Sequence, residues 1–144
     1  MTRSSLPDKA FDCVVATEVL EHVEEDALFV EQVHRVLKAG GIFLMTTPNG
    51  DSVKNTNPDH KRHYTRAQLT ALLKSVFEQV DVEYAIRAGL PRKVGLRSWS
   101  TRKPLQTALS MAGNVVNTIQ SAKSSLRTQA QGTRHLIATA RKLS

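Results

Sequence analysis

The residues with the most chemical potential are Glu18, Glu21, His22 and His60. Glu18, Glu21 and His22 stand at i, i+3 and i+4, so on a helical turn they share one face. They follow Phe11-Asp12-Cys13-Val14-Val15-Ala16, a short β-branched run that reads as a buried parallel strand. α/β folds bind ligands beyond the C-terminal ends of such strands. His60 lies in a polar loop after the next apolar run, within reach of the same crevice. Two carboxylates and two imidazoles make a divalent metal set, and the oxygen donors favour Mg2+ or Mn2+. A metal held there would bind a hydroxyl and lower its pKa. Without a metal, His22 or His60 becomes the candidate general base, because histidine titrates near neutral pH. The competing structural reading makes Glu21-His22 a helix start that caps backbone groups. His34 and His63 carry no assigned role.

These residues need a scaffold, and the hydrophobic pattern supplies one. Between residues 21 and 38, Val23, Ala27, Val30, Val33, Val36 and Leu37 recur at helical spacing. Acids fill the first turn and Arg35 and Lys38 the last, complementing the helix dipole. Gly40-Gly41 is expected to terminate that helix. Ile42 to Thr47 reads as a second buried strand, stopped by Pro48-Asn49-Gly50. Strand, helix and strand form a βαβ unit with a right-handed crossover. After a polar loop, Thr65-Arg66-Ala67-Gln68 opens a helix carrying Leu69, Leu72, Leu73 and Val76 on one face. Phe77 to Ile86 alternates in part and reads as a third strand. Residues 92 to 103 are basic and irregular, and from Pro104 to Ala122 an apolar stripe follows helical spacing. His135 to Ala140 reads as a last strand, with a helix as the competing reading because alanines weaken the strand case.

Composition bounds the class. A chain of 144 residues suits one domain, and no apolar run reaches bilayer length. The lone Cys13 excludes an intramolecular disulfide, and the N-terminus lacks the apolar core of a signal peptide, so a cytoplasmic location is expected. All 13 acidic residues lie at or before Glu83, together with nine of the 20 Lys and Arg, which leaves 11 basic residues beyond. Such a basic tail suits nucleic acid, an anionic membrane surface or an anionic substrate, or is simply a solvated face. Trp99 among Arg97, Arg102 and Lys103 is too few aromatics for a base-stacking platform. The stripe from Leu105 to Ala122 suits a lid over the sheet, or peripheral membrane contact.

Several motifs together resemble a family. Leu6-Pro7-Asp8, Phe11 to Val23 and Arg35-Val36-Leu37-Lys38-Ala39-Gly40-Gly41 resemble the fourth strand, following helix and fifth strand of class I S-adenosylmethionine-dependent methyltransferases. Thr46-Thr47-Pro48-Asn49 with His60-Lys61-Arg62-His63-Tyr64-Thr65 is similar to the branch holding ubiquinone-biosynthesis O-methyltransferases and small-RNA 2′-O-methyltransferases. The resemblance covers residues 6 to 86, with 135 to 142 resembling the closing strand.

It implies an α/β, partial Rossmann-like fold, strands 4-5-7-6 of the order 3-2-1-4-5-7-6, plus a helical insertion. The chain then divides into a core at 1–90, a basic insertion or lid at 91–131 and a closing strand at 132–144. The resemblance implies S-adenosylmethionine as cofactor, with Thr17 touching its methionine part and Asn49 and Tyr64 facing the substrate. The small-RNA enzymes resemble the chain in their metal cluster, which implies Glu18, Glu21, His22 and His60 as ligands. The family's glycine-rich turn after strand 1 and the acid ending strand 2 have no counterpart here, since Gly40-Gly41 is read as a helix terminator. An open strand 4 edge therefore invites a missing N-terminal half or self-association. The expected reaction is methyl transfer to a hydroxyl of a small molecule, lipid precursor or glycan. RNA 2′-O-methylation and a non-catalytic fragment or partner subunit are the alternatives.

Overall fold

The computed structural model describes residues 4–87, 130 and 132–144, and between them the helical positions Leu105, Thr107, Leu109, Met111, Ala112 and Val115. The basic stretch 92–103 with Trp99, and most of the expected lid at 91–131, lie outside the described residues.

Strand β1 (Phe11–Thr17) leads through a 3₁₀ turn (Leu20–His22) into helix α1 (Asp26–Val36) and strand β2 (Leu37–Pro48). Helix α2 (Arg66–Lys74), strand β3 (Gln79–Arg87) and strand β4 (Thr133–Arg141) complete the described elements. The sheet order is β1-β2-β4-β3. β1 and β2 are parallel, and β4 runs antiparallel to both β2 and β3. This is the expected 4-5-7-6 arrangement, and β4 is a strand, not a helix.

Alternation along each strand separates the faces. Phe43 and Met45 of β2, Leu136, Ala138 and Ala140 of β4 and Val82 of β3 are buried on one face. Val30 and Val33 of α1 and Leu69 and Leu73 of α2 cover them. Phe43 lies opposite Ala140 in the register, so the alanines of β4 leave room for the ring, which stacks on Phe77 at 6.1 Å. On the other face Val15 is 60% exposed and Leu44 38%. Leu105, Leu109 and Val115 of the expected stripe are also exposed, as is Met111. Helical spacing marks a face to be covered without naming its cover. Among the described residues no helix is long and apolar enough to cross a membrane.

Two boundaries differ from expectation. The single helix over 21–38 is a 3₁₀ turn and a separate α1, divided where Val23 is extended. Gly40-Gly41 does not terminate α1, which ends at Val36 with Leu37 already extended. The glycines instead sit inside β2, where two steps along β1 (Phe11 to Cys13) match five along β2 (Leu37 to Ile42). This bulge requires φ +77° at Gly40, and a Cβ on Gly41 would stand 2.8 Å from the Lys38 carbonyl oxygen.

The chain end closes over this region. Lys142 is 4% exposed, and its Nζ donates to the carbonyls of His34 at 2.9 Å and Leu37 at 3.0 Å. These are C-terminal carbonyls of α1 that the helix cannot satisfy, and the ammonium complements the dipole. Lys142→Met keeps the apolar stem and removes the donors. We expect urea denaturation to show a loss of about 1–3 kcal/mol, against little change for the exposed neighbour in Arg141→Met. Burial, then the charge of Lys142, holds the imidazole of His34 below its ordinary pKa. His34 rests edge-on against Phe77 at 5.1 Å, away from the site described next.

Candidate functional site

The C-terminal ends of β1 and β2 lie side by side, with Thr17 paired to Thr46. The successive side chains of Thr46 and Thr47 point to opposite faces of the sheet. Each holds one carboxylate. Thr46 Oγ1 donates to Glu18 Oε1 at 3.0 Å, and the buried Thr47 Oγ1 donates to Glu21 Oε2 at 3.1 Å. Glu18 has φ +53° and donates its backbone N–H to Thr46 O. Its other oxygen stands 3.3 Å from His135 Nε2. Glu18 therefore leaves the metal set expected from helical spacing. The chain passes through the left-handed region at Glu18 and the 3₁₀ turn starts only at Leu20, so Glu18 and Glu21 never share a helical face.

Glu21 is fully buried, and its Oε1 has no hydrogen-bond partner. His22 and His60 come to it from two segments. Their ring centroids are 4.7 Å apart, edge to face, and one ligand atom from each of Glu21, His22 and His60 lies within 4.8 Å of the others. The His60 loop is fastened to the 3₁₀ turn, since Lys61 N donates to Glu21 O at 2.7 Å. Arg62 adds an ion pair to Asp26 at 2.7 Å and a bond to Glu24 O at 2.9 Å. Asn55 Nδ2 donates to His60 O at 2.9 Å.

Ring nitrogens are limited by their partners. His22 Nδ1 lies 3.0 Å from the carbonyl oxygen of Asp59, which can only accept. In the neutral ring Nδ1 thus carries the proton and Nε2 the free pair.

Asn49 and Tyr64 are buried and hydrogen-bonded within the fold. Asn49 is fully buried, donating to Thr133 Oγ1 at 2.8 Å and Ser52 Oγ at 2.9 Å and accepting from Asp51 N at 3.0 Å. Tyr64 is 4% exposed, and its hydroxyl donates to Asp26 Oδ2 at 2.7 Å. Burial first, then that bond, raises the phenol well above its ordinary pKa. Both residues hold the fold because their polar groups are already committed. Thr17 is exposed at the β1 terminus. Sequence reasoning missed His135 and His63. Strand order alone would have found His135, since β4 must start where β2 ends, opposite Pro48.

Beside the site, an open apolar groove of about 730 Å³ follows the outer side of β1, lined by Leu6, Phe11, Val14, Val15 and Phe29.

Comparison with known proteins agrees with this geometry. A family model described as a methyltransferase domain matches residues 1–45, which span β1, α1 and most of β2. A probable S-adenosylmethionine-dependent methyltransferase of Mycolicibacterium smegmatis is 41% identical over 81 residues, 53% of this chain and 32% of that protein. Over these segments the chain is similar to S-adenosylmethionine-dependent methyltransferases. The mitochondrial ubiquinone biosynthesis O-methyltransferase of Rattus norvegicus is 46% identical over 41 residues, 28% of this chain and 12% of its own. The crystal structure of an S-adenosylmethionine-dependent methyltransferase from Archaeoglobus fulgidus shares the fold, with TM-score 0.61 at 19% identity over 96% of this chain and 62% of that one. The chain spans about a third or less of the length of the curated relatives it matches.

The two groups the family reading brings fit unequally. The groove beside β1 offers Ser4, Ser5, Cys13 and Gln32 as polar groups and no carboxylate for a ribose or an ammonium to meet. The glycines among the described residues serve the β2 bulge, the Asn49 turn and the entry to β4. The described residues therefore do not themselves make an S-adenosylmethionine site. A divalent cation fits better, because a carboxylate oxygen of Glu21 lies within 4.8 Å of a ring nitrogen of each of His22 and His60, and the buried Oε1 of Glu21 has no partner. With Glu18 removed, one carboxylate and two imidazoles favour Mn2+ or a softer divalent ion over Mg2+.

Proposed function

We propose that this chain forms the acceptor side of an S-adenosylmethionine-dependent methyltransferase that acts on a hydroxyl. The observation that carries this reading is the Glu21, His22 and His60 cluster at the C-terminal ends of the parallel strands. Oxygen is a poor nucleophile until its proton leaves, so O-methylation needs a base or an electrophile beside the acceptor. The cluster offers both. The free pair of His22 Nε2 accepts a proton from a hydroxyl in the crevice, and Glu21 stabilises the imidazolium that results. Glu21, His22 and His60 would hold a divalent ion, which supplies Lewis-acid acidification of a bound hydroxyl. The similarity to the O-methyltransferase of rat adds support for an oxygen acceptor. Small molecules, lipid precursors and glycans are the acceptors in view.

The test joins the chain to the part of the Mycolicibacterium smegmatis relative that precedes the matched segment, and incubates it with methyl-labelled S-adenosylmethionine, Mn2+ or Mg2+, and hydroxyl acceptors: a catechol, a glycan and a short RNA. Label recovered in an ether oxygen of the catechol or glycan is the expected result. Label on the RNA ribose would overturn the small-acceptor reading in favour of RNA 2′-O-methylation. Label on nitrogen or carbon, or no transfer, would overturn the hydroxyl reading for this chain.

A further inference from the structure

His63 has no place in the cluster, yet it stands directly behind it. Its Nδ1 lies 3.0 Å from the carbonyl oxygen of Val53, and its Nε2 lies 2.8 Å from Nδ1 of His60. The carbonyl can only accept, so the neutral His63 ring carries its proton on Nδ1 and presents a lone pair at Nε2. His60 must then donate from Nδ1, and its own lone pair is forced onto Nε2. Nδ1 of His60 is thereby used up on His63. Nε2 is the atom left for Glu21 and His22, whose ring meets His60 edge-on at 4.7 Å.

We propose that His63 is a positioning residue that fixes the tautomer and ring orientation of His60, so that the lone pair of His60 Nε2 is held free, on the side of Glu21 and His22, for a cation or a proton. The inference rests on the reading of that cluster as a cation or base site, but the tautomer claim stands apart from it. Free imidazole exchanges between two tautomers, and a partner on one nitrogen decides which nitrogen is left to ligate or accept. The device begins in the backbone. Val53 N donates to Asn49 O at 2.8 Å, and Gly50 N donates to Tyr64 O at 2.8 Å, so the two ends of the loop are tied together across the Asn49–Tyr64 bridge. A Cβ on Gly50 would come within 2.8 Å of His63 O, which is how closely the strand end and the histidine loop approach. The line from Asn49 through Val53 and His63 to His60 therefore passes from rigid strand to candidate site in four residues.

The test is long-range proton–nitrogen NMR of the uniformly labelled chain at about pH 8, where an ordinary imidazole is neutral. His60 is expected as the Nδ1–H tautomer in the parent chain. It is expected to shift to Nε2–H, or to an exchanging mixture, in His63→Leu, and to stay Nδ1–H in His63→Gln, whose side-chain oxygen still accepts. Co2+ titration, read by its visible absorption, is expected to weaken about 10–100-fold in His63→Leu and to recover in His63→Gln. An unchanged His60 tautomer in a folded His63→Leu chain would overturn the proposal. A tautomer shift in a chain that binds no Co2+ even as the parent would uphold the role of His63 and remove the cation reading instead. A dispersed amide spectrum checks that His63→Leu folds, and if it does not, His63→Phe repeats the test with a ring that cannot accept.

Discussion

Glu21→Gln is expected to lower the affinity of the chain for Mn2+ by about 100-fold or more while leaving its unfolding free energy unchanged or raising it by about 1 kcal/mol. The argument starts from burial. Glu21 is fully buried, yet only one of its carboxylate oxygens is engaged, with Thr47 Oγ1 at 3.1 Å. Its Oε1 has no partner. A buried carboxylate oxygen left without a donor lowers stability, and such a cost persists where the group does something else. Gln keeps the shape and can keep the bond from Thr47, but it removes the charge that a cation or an imidazolium requires. Function and stability thus move in opposite directions. A purely capping Glu21 predicts the reverse pattern: lost stability and unaltered ion binding. Calorimetric titration with Mn2+ alongside urea denaturation of both chains separates the two. Glu18→Gln provides the contrast, because Glu18 is bound to Thr46 and His135 on the other side of the sheet and should leave Mn2+ binding within about threefold of the parent.

Much of this architecture is legible in the residues, and the reasons are local. Phe11 to Ala16 and Ile42 to Thr47 are β-branched and apolar runs that only a covered parallel pair accommodates. Thr65 and Gln68 announce α2, and the structure forms the full capping box between them. What fails to show are features decided by partners far away in the chain. Gly40-Gly41 looks like a helix stop because glycine after a helical run is one. Here the tertiary fit of β2 against both β1 and Lys142 sets its use as a bulge, with Gly40 N donating to Lys142 O at 2.7 Å. β4 is rich in alanine, which argues against a strand, yet a central strand facing Phe43 needs small side chains. Glu18 illustrates the limit of periodicity at a site. Helical spacing predicts one face for Glu18, Glu21 and His22, but a single residue in the left-handed region breaks the period and sends Glu18 to the other side of the sheet. Glu21, His22 and His60 keep their association because the loop is fastened through Lys61, Arg62 and Asn55.

Asn49→Ala is expected to destabilise the chain by about 2–4 kcal/mol, the largest loss of stability among the site residues. The side chain spans two segments 84 positions apart, joining the end of β2 to Thr133 at the start of β4. Truncation of this fully buried side chain removes the donor to the buried Thr133 Oγ1, and with it the donor to Ser52 Oγ and the acceptor for Asp51 N. At the buried Thr133 end water does not replace the lost bond, which is why the cost exceeds that of a surface bond. Asn49→Asp should recover little, because a carboxylate cannot donate to Thr133 O at 3.4 Å or Ala130 O at 3.3 Å and would be drawn against those carbonyls. Ser52→Ala, which removes one partner at an exposed position, should cost about 1 kcal/mol. A substrate-facing Asn49 predicts the contrary: an unfolding midpoint equal to that of the parent, with the change confined to KM. Urea denaturation of the three variants decides it. The consequence reaches beyond stability, since Asn49 O also receives Val53 N, and Val53 O holds His63. Asn49 thus reaches, through two hydrogen bonds and a ring, the choice of which nitrogen of His60 faces the site.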